Sequence, residues 1–198
     1  MPDNAPPLKR KRTEADGAHV IIVGPDSDER RDRARSIAAE QGLVPVEPYD
    51  DLDIAAGQGT VALELFESDG PIDALYAPVS GGGIMAGCAV AMWALSPTTE
   101  IIAVEPAAKD SLKRSLDAGM RTAVPPPDTI ADGLRVRVPG ELTWPILREH
   151  VDRVILVTDE EMEHAVGWAL SELRIVLEPS GAAALAAALK EGRGQCGV

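Results

Sequence analysis

Three consecutive glycines, Gly81, Gly82 and Gly83, are the feature of this sequence that most restricts its fold. The residues before them, 73–79, form a short apolar run with β-branched and aromatic members, which is typical of a buried strand. The residues after them, 85–95, are small and apolar and are typical of a buried helix. The glycines are therefore predicted to form the turn between a strand and a helix.

A turn of this kind can bind a phosphate group. Glycines have no Cβ, so their backbone can adopt positive φ and approach a ligand closely. The first turn of a helix also offers free N–H groups and the positive end of the helix dipole. The alternative is a tight turn whose small residues only permit close packing. The residues themselves leave both interpretations open.

A second phosphate-binding pattern fits the same turn. Gly81, Gly83 and Ala86 match the G-x-G-x-x-G/A fingerprint of dinucleotide-binding proteins, and Glu105 follows the next apolar run at about the spacing of a ribose-binding acid. Many glycine-rich turns satisfy this fingerprint. A dinucleotide-binding, Rossmann-like domain is therefore an alternative hypothesis.

Composition and charge favour a small-molecule partner. A formal net charge of −13 over 198 residues argues against a surface for nucleic acid or anionic membranes, since these need clustered Lys and Arg. No apolar segment is long enough to span a membrane, and no signal-peptide pattern occurs. Cys88 and Cys196 indicate no disulfide framework. We expect a cytoplasmic protein.

The first 52 residues are predicted to form a separate region. The basic run at residues 9–12 is interpreted as the exposed face of a short helix rather than a nuclear-import signal. Residues 18–23 and 43–46 are predicted strands, and Ser27 is the predicted N-cap of a helix between them. We expect the strand at 18–23 to present an unprotected sheet edge, part of which a homodimer could cover.

From residue 54 the sequence alternates predicted helices and strands, a pattern typical of a parallel sheet with helices on both faces. The strands are predicted at residues 73–79, 100–104 and 151–157. A helix at 60–68 precedes the first strand, and further helices are predicted at 85–95, 109–118 and 141–150. Thr158 and Glu161 form a predicted capping box. The helix that follows is expected to bury one apolar face: Met162, Ala165, Val166, Ala169, Leu170 and Leu173.

Five segments in this order resemble a known family, the pyridoxal-phosphate (PLP) dependent serine/threonine dehydratases, and within it the serine racemase-like members. They are residues 54–64 (IAAGQGTVALE), 79–87 (VSGGGIMAG), 104–106 (VEP), 129–133 (TIADG) and 178–183 (EPSGAA). Two further segments favour the racemase-like branch: residues 142–147 (LTWPIL) and 151–158 (VDRVILVT).

The resemblance implies an α/β fold of the fold-type-II (tryptophan synthase β-like) PLP enzymes, with parallel sheets flanked by helices. Residues 1–52 would form part of the small domain and residues 53–198 part of the large, phosphate-binding domain. The family's enzymes are ammonia-lyases (dehydratases) or racemases that act on L-serine or L-threonine. The implied partner is therefore a small amino-acid substrate, and the implied cofactor is pyridoxal 5'-phosphate.

The resemblance also assigns roles to residues of this chain. Gly133 would pass close to the cofactor ring, and Glu178 would lie on the pyridine side of the pocket. The family more often has four glycines at the phosphate turn, where this chain begins with a serine. The residues that would hold the phosphate through their N–H groups are Ser80, Gly81, Gly82 and Gly83.

A divalent cation site is a further implication of the resemblance. In the racemase-like branch the residue matching Glu105 helps to bind Mg²⁺ or Ca²⁺ together with a downstream aspartate and a backbone carbonyl, and oxygen ligands of this kind suit both cations. The matching acid position falls on Ser111 in this chain. Asp110, one residue earlier, is the nearest substitute, so Glu105 and Asp110 are the candidate metal ligands.

The segments that carry the family's chemistry are missing. The Schiff-base lysine lies in an S-F-K-x-R-G-A-like segment, the substrate carboxylate is bound by S-S-G-N-H, and a downstream S-G-G-N segment contacts the pyridine nitrogen. None of the three occurs here, which implies truncation at both ends. All lysines of the chain lie in polar sequence surroundings, and none is predicted to have a pKa low enough to attack an aldehyde: Lys9, Lys11, Lys109, Lys113 and Lys190.

No catalytic residue is therefore predicted, and the chain is expected to be inactive alone. Three functions stay open. The first is a fragment of a PLP-dependent serine/threonine ammonia-lyase or serine racemase. The second is a non-catalytic phosphate- or PLP-binding or regulatory protein, and the third is the dinucleotide-binding domain.

Overall fold

The computed structural model describes residues 1–3, 5–24 and 27–192. The chain divides into two compact units, Met1–Val46 and Glu47–Val198. The assignment of residues 1–52 and 53–198 to a small and a large domain stays a prediction. Cys196 lies outside the described residues, as does the side chain of Ser27, the predicted N-cap.

The described part of the first unit contains two helices, α1 (Pro7–Ala15) and α2 (Ser27–Gln41). Proline at the first position of α1 is favourable because that residue's N–H would have no helical partner. The basic run at residues 9–12 lies on α1 and is exposed. Arg10 forms an ion pair with Glu14 one turn later, at 2.9 Å.

Both strands predicted for the first unit are wrong. Residues 43–46 have no regular structure, and within residues 18–23 only Val23 pairs, in an isolated parallel bridge with Pro2. The bridge consists of Val23 N–H donating to the Met1 carbonyl at 2.9 Å and Asp3 N–H donating to the Val23 carbonyl at 3.0 Å. A strand needs a neighbour that pairs along its whole length, and the described residues of this unit provide none. The expected open sheet edge is therefore wrong as well.

The second unit contains a parallel three-stranded sheet, as predicted. Its strands are β1 (Ala74–Pro78), β2 (Glu100–Pro106) and β3 (Arg153–Val157), in the order β1-β2-β3. Ala77 is paired with Ala103, and Val104 with Ile155. The central strand β2 is almost completely buried, as expected for a strand with helices on both faces.

The described part of the second unit contains six α-helices: α3 (Leu52–Asp69), α4 (Gly83–Leu95), α5 (Ser111–Ala118), α6 (Thr143–His150), α7 (Asp159–Trp168) and α8 (Pro179–Lys190). A 3₁₀ turn occupies Asp132–Leu134. The predicted helices at residues 60–68, 85–95, 109–118 and 141–150 are thus confirmed with shifted ends. None of the helices in the described part of the chain combines the length and apolarity needed to cross a membrane.

The core lies on both faces of the sheet. On one face Ala103 belongs to a cluster with Met85 and Met92 of α4 and Leu147 of α6. On the other face the next residue, Val104, belongs to a second cluster with residues of α7 and α8. Successive residues of a strand point to opposite faces. The predicted parallel sheet with helices on both faces is confirmed.

The predicted capping box at the start of α7 is confirmed. The apolar face predicted for this helix is only partly buried. Thr158 Oγ1 accepts from Glu161 N–H at 3.2 Å, and the Glu161 carboxylate accepts from Thr158 N–H at 2.8 Å. Met162 and Ala165 are buried, whereas Leu170 and Leu173 are exposed. The reason is a π-helical turn at Ala169–Leu173, which replaces α-helical geometry and rotates the last residues away from the predicted face.

Candidate phosphate-binding site

The predicted strand–glycine–helix turn is confirmed. Val79 N–H donates to the Val104 carbonyl at 2.8 Å and continues the sheet to the edge of the turn. Gly82 then adopts a φ of +103° and becomes the N-cap of α4, which begins at Gly83. Among the described residues no side chain caps this helix. The start of α4 thus provides backbone N–H groups and a positive dipole end.

The oxygens of this turn are held by the surrounding protein. The Gly81 carbonyl accepts from Thr143 Oγ1 at 2.7 Å and from Gly140 N–H at 3.0 Å. The Ser80 hydroxyl oxygen accepts from Val136 N–H at 3.2 Å. The backbone conformation of the turn is therefore fixed by bonds to α6 and to the loop before it.

Packing leaves little room for a side chain at any of the three positions. A Cβ on Gly81 would overlap the ring of Tyr49. One on Gly82 would lie 2.7 Å from Leu147 Cδ1, and one on Gly83 would lie 3.1 Å from Tyr49 Cα. The packing interpretation of the glycines is thus supported. It is compatible with phosphate binding, because close packing and phosphate binding both need a backbone without side chains.

Lys109 is the residue that sequence reasoning most clearly missed. It was predicted to lie in polar surroundings, but its side chain is 0% exposed. The ammonium donates to Glu105 Oε1 at 2.7 Å, to the Ser80 carbonyl at 3.1 Å and to the Val79 carbonyl at 3.3 Å. Burial lowers the pKa of Lys109 from its ordinary value, and the carboxylate of Glu105 partly opposes this effect. The polar sequence surroundings of Lys109 therefore did not indicate its burial.

Glu105 is buried as completely as its partner. Besides the Lys109 ammonium, its carboxylate accepts from the backbone N–H of Leu112 at 2.9 Å and of Lys113 at 3.0 Å, and from Ser111 Oγ at 3.4 Å. It therefore caps the first turn of α5 from the end of β2. The dinucleotide hypothesis required this carboxylate to face a ribose, and the observed contacts do not support it.

The two predicted metal ligands have different cationic partners. Glu105 contacts Lys109, whereas Asp110 Oδ1 accepts from Arg114 Nε at 2.7 Å. The described residues contain no group of three or more His, Cys, Asp or Glu side chains that could hold a metal ion. The structure does not bring Glu105 and Asp110 together as a metal site.

Gly133 and Glu178, predicted to lie near the cofactor ring, belong to neighbouring segments. Gly133 is in the 3₁₀ turn and donates its N–H to Ser180 Oγ at 3.0 Å, at the start of α8. Glu178 is the exposed N-cap of α8. The loop after Gly133 reaches the glycine turn through Val136, whose N–H donates to Ser80. The roles of Gly133 and Glu178 toward a ligand stay predictions.

Sequence reasoning also missed the contacts that residues 48–50 make with α6 and with the glycine turn. The Asp50 carboxylate accepts from the N–H groups of Glu141 and Leu142, each at 2.8 Å, and from that of Thr143, the first residue of α6, at 3.4 Å, and so caps α6. Tyr49 packs on the glycine turn. No local pattern indicates these contacts, because the partners are about ninety residues apart in the chain.

A parallel sheet with helices on both faces, and a glycine turn that leads from a strand into a helix without a side-chain cap, define an α/β protein. The family model described as pyridoxal-phosphate dependent enzyme matches residues 1–196. The chain belongs to this family, and the resemblance stated from its sequence motifs is confirmed.

Curated relatives agree with this assignment. The chain is 39% identical over 189 residues to L-threo-3-hydroxyaspartate ammonia-lyase of Saccharomyces cerevisiae, covering 96% of this chain and 58% of the relative. It is 39% identical over 191 residues to serine racemase of Oryza sativa subsp. indica, covering 96% of this chain and 56% of the relative. The chain thus spans a little over half the length of these relatives.

Solved structures confirm the fold-type-II class. The crystal structure of a T.th. threonine deaminase superposes with a TM-score of 0.90 at 42% identity, covering 98% of this chain and 64% of that one. Maize serine racemase superposes with a TM-score of 0.91 at 38% identity, covering 98% and 59%. The predicted kinship to serine/threonine dehydratases and serine racemases is therefore confirmed.

Proposed function

We propose that this chain forms the phosphate-binding part of a PLP-dependent ammonia-lyase or racemase that acts on small hydroxy amino acids such as L-serine and L-threonine. The observation that carries the proposal is the turn at residues 80–83, where bare backbone leads into the uncapped start of α4. The relatives include a serine racemase and a threonine deaminase, and both amino acids in these names carry a β-hydroxyl group.

In this proposal the chain's residues hold and orient the cofactor. The N–H groups of Ser80, Gly81, Gly82 and Gly83 bind its phosphate, because N–H groups at a helix start and the positive dipole end favour anions. Gly133 leaves room beside the ring, and Glu178 lies on the pyridine side. When bound, PLP supplies the electron sink for reactions at the α-carbon of an amino acid.

We also propose that this chain alone does not deaminate serine or threonine. Such chemistry needs a lysine whose amine is available to the cofactor. Lys109 is the one deeply buried lysine among the described residues, but all its N–H donors are directed at oxygens of Val79, Ser80 and Glu105. The other lysines are exposed or half-buried and lie away from the glycine turn in sequence.

The experiment compares pyridoxine 5'-phosphate with pyridoxine by isothermal titration. Neither ligand has an aldehyde, so surface lysines do not react with them. We expect only the phosphate ester to bind. Gly82→Ala should abolish binding, since the new Cβ meets Leu147 and Thr143. Gly119→Ala is the matched control: Gly119 also has positive φ, at +68°, but a Cβ there meets nothing within 4 Å.

Equal binding of pyridoxine and its phosphate, or unchanged affinity in Gly82→Ala, would refute the phosphate assignment.

A pyruvate and 2-oxobutanoate assay with added PLP tests the second proposal. We expect no turnover above that of free PLP. Turnover together with a borohydride-trapped adduct on one of the chain's lysines would show that it is catalytically complete. Binding without turnover also fits the regulatory alternative. To distinguish the two, a peptide with the lysine segment is added in trans. Turnover should return if the chain is an enzyme fragment and should not return if it is a regulatory protein.

A further inference from the structure

The ammonium of Lys109 lies in a closed oxygen cage. Its three contacts are the Glu105 carboxylate at 2.7 Å and the carbonyls of Ser80 and Val79 at 3.1 and 3.3 Å. All three partners are acceptors. A neutral amine has two N–H donors and an ammonium has three, so only the charged form can donate to all three oxygens at once.

The cage joins three separate elements. Val79 and Ser80 lie between β1 and the glycines, Glu105 lies in β2, and Lys109 itself precedes α5. Glu105 also holds the start of α5 through the N–H groups of Leu112 and Lys113. A displacement of the ammonium would therefore release the two carbonyls that immediately precede the phosphate-binding glycines.

The Lys109 ammonium occupies the place beside Glu105 where a metal ion would have to bind. Carboxylate and carbonyl oxygens are the ligands that hard cations prefer. In this chain the same oxygens surround a covalently attached cation, and both side chains of the pair are 0% exposed. A divalent ion could enter only by displacing the lysine and leaving its charge buried without a partner.

We propose that the Lys109 ammonium is a resident internal cation that positions the phosphate-binding turn, in place of a free metal ion. Only one of its tests, the affinity for pyridoxine 5'-phosphate, rests on the proposed function. Lys109 is a positioning residue, since it acts through the carbonyls of Val79 and Ser80. Removing it should disturb the turn itself as well as the stability of the fold.

The first test uses Lys109→Ala and Lys109→Met. Both leave the Glu105 carboxylate buried without its cation, which should lower Tm by roughly 5–15 °C. In Lys109→Ala the vacated space should admit NH₄⁺, so ammonium chloride should restore Tm. Tetramethylammonium chloride at equal concentration is too large and should not. Lys109→Met fills the space and should not respond to either salt.

The second test separates positioning from charge neutralisation. In Lys109→Met with Glu105→Gln both charges are gone, so most of the lost Tm should return. Amide NMR signals of Gly81 to Gly83 should nevertheless stay shifted, and affinity for pyridoxine 5'-phosphate should stay at least tenfold weaker. Recovery of the amide signals together with Tm would show that Lys109 only neutralises Glu105, and would overturn the proposal.

The amide signals and the ammonium response need no bound ligand, so they test the inference even if the wild type fails to bind pyridoxine 5'-phosphate. That failure would count against the proposed function alone.

A third test adds MgCl₂ or CaCl₂ to the wild type. We expect no rise in Tm beyond that of NaCl at equal ionic strength. A specific rise abolished by Glu105→Gln would place a divalent ion at the cage and refute the proposal.

Discussion

Gly87 of α4 and Gly59 of α3 are in direct backbone contact where the two helices cross. A Cβ on Gly87 would lie 2.6 Å from Gly59 N and would overlap the Ala55 carbonyl oxygen. A Cβ on Gly59 would lie 2.7 Å from the Gly87 carbonyl oxygen. No side chain fits on either helix at this point, so α3 fixes the position of α4 one turn after the glycine turn.

Gly87→Ala should destabilise the protein. The added methyl group has to separate two helix backbones, and overpacking of this kind costs about 1–3 kcal/mol or more. Gly57→Ala in the exposed part of α3 is the control, because a Cβ there meets nothing within 4 Å and alanine favours a helix by about 1 kcal/mol. Urea unfolding measures both. Equal stability of the two variants would contradict the close contact.

Asp50→Ala should loosen α6 and, through it, the glycine turn. The Asp50 carboxylate accepts from the N–H groups of Glu141 and Leu142, and loss of such a cap costs about 1–2 kcal/mol. Asp50→Asn keeps one of the two acceptor oxygens and should retain part of the stability. Thermal unfolding of both variants tests this. A loss in the asparagine variant as large as that in the alanine variant would show that the charge, rather than the hydrogen bonds, is what matters.

Thr143→Val should weaken phosphate binding with little change in shape. Thr143 is buried and its hydroxyl donates to the Gly81 carbonyl at 2.7 Å. Valine leaves that carbonyl with one partner fewer, at a cost of about 1–2 kcal/mol in stability. Thr143→Ser keeps the hydroxyl and serves as the control. Titration with pyridoxine 5'-phosphate should show several-fold weaker binding for valine only. Equal affinities would mean that this bond does not shape the turn.

Acid should weaken the start of α7 through Glu161. Burial raises the pKa of Glu161, but hydrogen bonds from Lys190 and the Thr158 N–H lower it, and the net effect is a pKa below the ordinary 4.5. A lowered pKa in the folded state gives stability that is complete above 4.5 and is lost as the pH falls through the folded-state value.

Glu161→Gln removes this dependence, because glutamine can still accept the Thr158 N–H but does not titrate. Unfolding midpoints in urea, measured at neutral pH and below the ordinary pKa of glutamate, should show a larger fall for the wild type than for the variant. Parallel falls in both proteins would assign the acid sensitivity to other carboxylates.

The sheet and the glycine turn could be predicted because their signals are local. β1, β2 and β3 are apolar runs between turn residues, and Thr158 with Glu161 marks the start of α7 within four residues. The same local signals failed for residues 18–23 and 43–46. Their composition suits a strand, but a strand forms only where a neighbour pairs with it, and composition does not reveal the neighbour.

The Lys109 cage could not be predicted for a related reason. The residues that follow it, Asp110 and Ser111, are polar, and Asp110 and Lys113 do lie nearer to solvent. Burial arises because β1 ends beside β2 and brings the carbonyls of Val79 and Ser80 to a residue about thirty positions away. The pairing of Glu105 with Lys109 four residues later was visible in the sequence. The contact with the sheet, which the sequence does not show, makes the two residues a buried pair.

The inward bonds of the Ser80 and Gly81 carbonyls have a consequence for how an anion would bind. Fixing one residue's backbone costs about 1–2 kcal/mol of conformational entropy. Because these bonds form when the chain folds, the turn loses that freedom before any ligand arrives. Binding then requires little further ordering, which is the advantage of a preorganised receptor. The backbone of residues 79–83 should accordingly have the same conformation and the same low mobility with the site empty or filled.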